Sequence, residues 1–104
     1  MILAYIISNS EEEAEDLSRK LIEKRLVHSV NLIPGVKSLL RQGDQIVEEQ
    51  RTLVLAKTKA LLFRELEAEI EKFQARSTQT LFSMPLTQMS QTLFDLIQEN
   101  TLKV

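Results

Sequence analysis

Cysteine and tryptophan are absent from this chain of 104 residues, histidine occurs once, and glycine and proline occur twice each. Without cysteine there is no disulfide framework, no thiol nucleophile and no thiolate-held zinc. A single histidine, His28, excludes the HxxxH and HExxH metal motifs, which need two imidazoles one helical turn apart. Neither sign of charge dominates. Thirteen Lys+Arg oppose fifteen Asp+Glu for a net charge of −2, too balanced for the basic stripe that nucleic acid or an anionic membrane surface selects. No stretch approaches the roughly 20 apolar residues of a membrane helix, and Met1 to Ile7 lacks the basic start and the length of a secretory signal. A cytoplasmic protein that binds neither nucleic acid nor membrane is expected.

Two glycines, Gly35 and Gly43, cannot build a Gly-rich phosphate loop, and there is no nucleophile-elbow serine and no Cys or His for a nucleophile-base pair. Nothing places two carboxylates in a shared cleft. No catalytic residue is nominated, and the expectation is a protein that is not an enzyme.

The 43% hydrophobic and 27% charged composition is that of an ordinary globular chain, and the length suits one domain, residues 1–104, around one core. Ile2 to Ser8 is a continuous apolar run, the pattern of a central strand buried on both faces. Ser10 with Glu13 forms a capping box, and Ala14, Leu17, Leu21, Ile22 and Leu26 continue at helical spacing. Glu15-Arg19 and Asp16-Lys20 are i,i+4 pairs on the wet side of that helix. A strand over Val27 to Ile33 follows, then a Pro34-Gly35 break and a continuation through Val36 to Leu40. Arg41-Gln42-Gly43-Asp44 reads as a turn and Ile46 to Ala56 as the return strand.

Thr58 is positioned to cap a second helix carrying Leu62, Leu66, Ile70 and Phe73. Thr78 to Leu86 reads as a fourth strand, and Ser90 opens a short helix with Leu93, Phe94 and Ile97 on one side. The order predicts an α+β, ferredoxin-like βαββαβ fold with a long β2-β3 hairpin and a C-terminal helix. Such a hairpin outruns a four-stranded domain, and Ser38, Leu39, Leu40, Ile46 and Val47 are too apolar for a free-standing ribbon. These five are the candidate subunit-interface residues, and closed self-association is the economical way to cover them.

The residues nominate no metal site. His28 lies beside Ser29 and Asn31, poor partners for copper or zinc, and reads as structural. Met1, Met84 and Met89 read as packing residues, and Glu11-Glu12-Glu13-Glu15-Asp16 as the acidic start of a helix. Glu48-Glu49 on the return strand reads as a solvated or salt-bridged face, or as carboxylates that meet those of symmetry mates. The best anion candidate is Lys57 with Thr58, at a strand-to-helix junction where free N–H groups, a hydroxyl and an ammonium face one ligand. Lys37 and Arg51, with Arg41 and Arg76, are further cations whose convergence sequence does not decide. A plain helix cap by Thr58 and a structural Lys57 is the other reading.

Several stretches together resemble the CutA divalent-cation-tolerance family over essentially the whole chain. They are the capped Glu-rich first helix, Glu23-Lys24-Arg25-Leu26, Val30-Asn31-Leu32-Ile33-Pro34-Gly35-Val36-Lys37-Ser38, Lys57-Thr58 and Met84-Pro85-Leu86. The resemblance implies a cytoplasmic ferredoxin-like homotrimer associated with tolerance of divalent metal ions, with copper or zinc as the metal. It also shows departures: Ser29 stands where the family usually carries a cysteine, Leu40-Arg41-Gln42 where it is aromatic, and Gly43-Asp44 where it has Glu-Gly. Gln74-Ala75-Arg76 stands for its His-Pro-Tyr, Gln79-Thr80 for its Pro-Glu, and Leu93 and Leu96 for its late Tyr and Trp. The alternative is a PII-like signalling module that holds a small anion or a protein partner at subunit clefts.

Overall fold

The computed structural model describes Met1–Val104 and contains β1 (Ile2–Ser8), α1 (Glu11–Glu23), β2 (Ser29–Gln42), β3 (Gln45–Thr58), α2 (Phe63–Gln74), β4 (Phe82–Pro85) and α3 (Gln91–Asn100). Short 3-10 turns at Ala60–Leu62 and Ala75–Thr80 bracket α2. The strands form one antiparallel sheet in the order β2-β3-β1-β4, the ferredoxin-like plan that the element order predicted. No helix is long and apolar enough to cross a membrane.

One face of the sheet carries the helices. Ala4 and Ile6 of β1 and Val54 and Ala56 of β3 meet Ala14, Leu17 and Leu21 of α1 and Leu66 and Ile70 of α2 in a single buried cluster. Ser10 caps α1 as its sequence requires, its hydroxyl accepting from the Glu13 N–H at 3.1 Å. The helix ends in a left-handed residue, Arg25 (φ 59°), with the Leu26 N–H returning to Leu21 O, a Schellman closure made without glycine. Leu26 therefore packs from beyond the helix, and Ile22, expected on its buried face, is exposed.

Three further expectations are corrected. Pro34-Gly35 does not interrupt the strand: β2 runs through as one element, with a bulge between Ile33 and Val36 where Gly35 takes φ +72°. The fourth strand is Phe82–Pro85, not Thr78 to Leu86. Residues 75–80 coil instead, because the Thr78 hydroxyl bonds Ala75 O and Glu71 Oε2, both at 2.7 Å, drawing the chain into a local turn. Thr58 does not cap α2. It is the last residue of β3, fully buried, and its hydroxyl donates to Leu26 O at 2.6 Å. Phe63 opens α2 after Leu62 with no side-chain cap.

The opposite face of the sheet has no layer over it. Cross-strand neighbours share a face, so Leu3, Tyr5 and Ile7 of β1 lie beside Leu53, Leu55, Phe82 and Met84 on an apolar surface only partly shielded within one chain. The hairpin extends this surface past the body of the fold. Gln42 pairs with Gln45 across a two-residue turn, Gly43-Asp44, tighter than the expected four-residue turn, and Gly43 supplies the positive φ (64°) such turns demand. The projection gives principal extents of 46 × 27 × 21 Å and a radius of gyration of 14.2 Å, against about 13 Å for a compact chain of this length.

Candidate functional site

Where the hairpin leaves the sheet, a cleft of about 380 Å³ opens between β1, the bulged part of β2, β3 and the 3-10 turn after α2. Tyr5 and Ile7 form its floor, Ser38 and Leu40 one wall, and Arg76 and Thr80 the other. Glu49 and Arg51, two residues apart on one face of β3, stand between the walls.

Arg51 is the anchor of this cleft. Its side chain is only 11% exposed, and its guanidinium donates to Asn9 Oδ1 and pairs with Glu49 Oε2. Arg76 approaches the same carboxylate from the far wall, its Nη2 donating to Glu49 Oε1 at 3.2 Å and Oε2 at 3.3 Å. Two guanidinium groups thus share one carboxylate. Burial, and then the charge of Arg76, hold the Arg51 guanidinium below its ordinary range, while Glu13 pulls the other way.

The wall is held by residues that sequence did not single out. Gln74 accepts from the Ser8 hydroxyl at 2.9 Å and donates to Glu13 O at 2.6 Å, tying the end of α2 to β1 and α1. Ser77 adds a bond to Gln74 Oε1 at 3.3 Å. This fixes the turn that presents Arg76. Asn9, Tyr5 and Gln74 carry no local signal of such roles, because each acquires its role from a partner more than forty positions away.

Of the anion candidates, Arg51 lines the cleft together with Arg76, whereas Lys37 belongs only to its edge and pairs its ammonium with Glu48 at 3.7 Å on the opposite face of the hairpin. Lys57 and Thr58 lie elsewhere. They sit six and seven residues further along β3, about 20 Å away at strand rise. Lys57 Nζ donates to Asn31 Oδ1 at 3.2 Å, and the Thr58 hydroxyl is committed to Leu26. Arg41 is near the hairpin tip and does not line the cleft. Phe73, Leu93 and Leu96 do not fill it.

The five interface candidates lie along the projecting hairpin. Ile46 is 77% and Leu39 65% exposed, Leu40 is exposed, and Ser38 and Val47 are half-buried. As for a metal, no group of three or more His, Asp or Glu side chains is arranged to hold an ion within the chain. His28 Nδ1 faces Asn100 Nδ2 at 3.3 Å, and Glu48 and Glu49 point to opposite faces of β3. The donor set of one chain does not fit copper or zinc.

Comparison with known proteins agrees with this architecture. The family described as "CutA1 divalent ion tolerance protein" matches residues 2–100. The chain is 30% identical over 92 residues to the divalent-cation tolerance protein CutA of Thermus thermophilus, covering 88% of this chain and 89% of that one. It is 28% identical over 95 residues to the Archaeoglobus fulgidus protein of the same name, covering 91% and 92%. The solved Thermus thermophilus structure superposes with a TM-score of 0.91 at 29% identity, over 97% of this chain and 99% of that one. The Oryza sativa CutA1 structure gives 0.95 at 17% identity, over 99% and 94%, a likeness of fold. Matched along nearly its whole length, the chain belongs to the CutA1 divalent ion tolerance family.

Proposed function

We propose that this chain acts as a non-enzymatic homotrimer in the response to divalent metal ions, in the cytoplasm, with the cleft at the hairpin base as its working site. The carrying observation is the uncovered, largely apolar face that runs from Leu3, Tyr5 and Leu55 past the paired Glu49 and Arg51 to Leu40 and Val47 on the hairpin. A surface of that extent on a soluble chain marks an interface, and a closed ring covers it without leaving an edge for open-ended growth. Family membership supplies the association with divalent ions.

Light scattering tests the assembly. The expected mass is about 36 kDa, three times the 12.0 kDa chain; a stable monomer at micromolar concentration sinks the proposal. Isothermal titration with Cu(II) and Zn(II) tests the metal. Saturable binding tighter than roughly millimolar would make the trimer, and not the single chain, the metal-binding unit.

A second reading is favoured by a specific observation, the convergence of Arg51 and Arg76 on the cleft. On that reading the trimer is a PII-like binding module for a small ligand or a protein partner. A thermal-shift panel of metals, nucleotides and small acids separates the two, since stabilisation by ligand rather than metal supports the module.

A further inference from the structure

We infer that the pocket where α3 ends against the junction of α1 and β2 is a receptor for a phosphate group, held by Arg25, Lys59 and Lys103. It stands apart from the cleft at the hairpin base, and none of its residues belongs to the uncovered sheet face or to the hairpin.

Local structure brings the three cations together. Arg25 is the left-handed residue that closes α1, a position that favours glycine and costs any other residue about 1 kcal/mol. From there its carbonyl accepts from the Leu102 N–H at 2.9 Å, and its Nη2 donates to Glu99 O at 2.6 Å. Lys59, one residue beyond β3, donates from Nζ to Leu102 O at 2.7 Å. Both side chains therefore close on the stretch that follows α3, and Lys103 is carried by that same stretch.

The simpler explanation is that Arg25 and Lys59 satisfy free carbonyls at a helix end. That accounts for one donor on each, whereas a guanidinium has five N–H groups and an ammonium three. The end of a helix also carries only about half a negative charge. Glu99 and the carboxyl end at Val104 border the pocket, yet Arg25, Lys59 and Lys103 make no ion pair within the chain. In the hairpin cleft, by contrast, both arginines are engaged with Glu49. Lys59 carries the point furthest, because the residue is only 8% exposed. Water compensates its charge poorly, and no carboxylate takes the place of water.

A phosphate group has the chemistry that completes this arrangement. Its oxygens accept paired N–H groups from a guanidinium, and its second negative charge suits the separate point charges of two ammonium groups. The pocket, about 570 Å³, exceeds the phosphate itself and leaves room beside Gln98 for a small organic part, within the range of small-molecule sites.

Isothermal titration of the full chain at neutral pH and low ionic strength tests this, with inorganic phosphate, glycerol 3-phosphate and succinate in separate arms. One saturable event per chain is expected with phosphate or its ester, and the tighter of the two tells free phosphate from a phosphomonoester. Arg25→Gly is the most informative variant, since glycine suits the positive φ and the backbone is kept while the guanidinium is lost. It is expected to weaken binding about tenfold. Lys59→Met, which retains the buried stem, and Lys103→Gln weaken it several-fold, and circular dichroism melts establish that each variant is folded.

No saturable heat with phosphate or its ester below about 10 mM overturns the inference. Affinity unchanged in both Arg25→Gly and Lys59→Met overturns it as well, and loss of binding in Arg76→Gln instead would move the anion to the hairpin cleft. Succinate bound as tightly as phosphate sinks the phosphate assignment.

Discussion

The ring of Tyr5 stacks on that of Phe82, with centroids 4.6 Å apart and planes 19° from parallel. The two residues are directly opposed on β1 and β4, on the side of the sheet that no helix covers. An aromatic pair on a sheet face is typical of a packed layer, and within the chain no second layer lies over it.

Leu55 occupies the middle of that face, opposite Tyr5 on β3. Leu55→Asp places a charge where the proposed subunits meet while leaving the helix-side core untouched. The scattering mass is expected to fall toward that of one chain at micromolar concentration with the far-ultraviolet circular dichroism retained. A mass unchanged by this substitution would move the interface off the sheet face.

Thr58 tests a different kind of bond. Thr58→Val preserves shape but deprives Leu26 O of its donor, at a cost of about 1 to 3 kcal/mol. Thr58→Ser keeps the donor and gives up a methyl group, about 1 kcal/mol. Urea denaturation at fixed protein concentration ranks the two, with valine expected lower; the reverse order would mean that packing, not the hydroxyl, holds β3 against the end of α1.

Gly35 sits at φ +72° with nothing within 4 Å of where a Cβ would project. The penalty of Gly35→Ala is therefore backbone conformation alone, about 1 to 2 kcal/mol. Chemical denaturation reads it directly. A loss well above that range would point to a contact made only in the assembled protein.

Arg51 bears on pH dependence. Its folded-state value is depressed by burial and by Arg76, so the penalty for its charge is present in full at neutral pH. It is relieved only as pH rises through the folded value toward that of the unfolded chain. Melts between pH 6 and 9 should show no slope from this group. Arg76→Gln removes a half-exposed ion pair together with the like-charge repulsion, and stability at pH 7 is expected to change by less than about 1 kcal/mol. A steep alkaline loss of stability, or a larger change in Arg76→Gln, contradicts this balance.

The scaffold was legible because its signals are local. The Ser10 cap, the apolar run Ile2 to Ser8 and the spacing of Leu17, Leu21, Leu66 and Ile70 each state a conformation within a few residues. Thr58 misled because a threonine before a helical run has the same local appearance whether its hydroxyl caps that helix or reaches thirty-two positions back to Leu26. The Thr78 to Thr80 stretch misled for the opposite reason, since a β-branched residue suits a strand until its hydroxyl, here that of Thr78, finds a nearby carbonyl. Arg51 and Arg76 were visible as cations, but their meeting depends on Gln74 and on strand register, neither of which is written in a contiguous segment.

The bulge at Pro34-Gly35 decides which residues belong to the cleft at all. Before it, odd-numbered residues of β2, Asn31 and Ile33, lie beside Leu55 and Leu53 on the uncovered side. After it, even-numbered Val36, Ser38 and Leu40 lie beside Arg51, Glu49 and Val47. One extra residue reverses the parity of everything beyond it. Were the ladder to continue from Ile33 without the bulge, Lys37 and Leu39 would stand beside Glu49 and Val47 on the cleft side and Ser38 and Leu40 would lie outside, exchanging the lining of the cleft without altering a single residue.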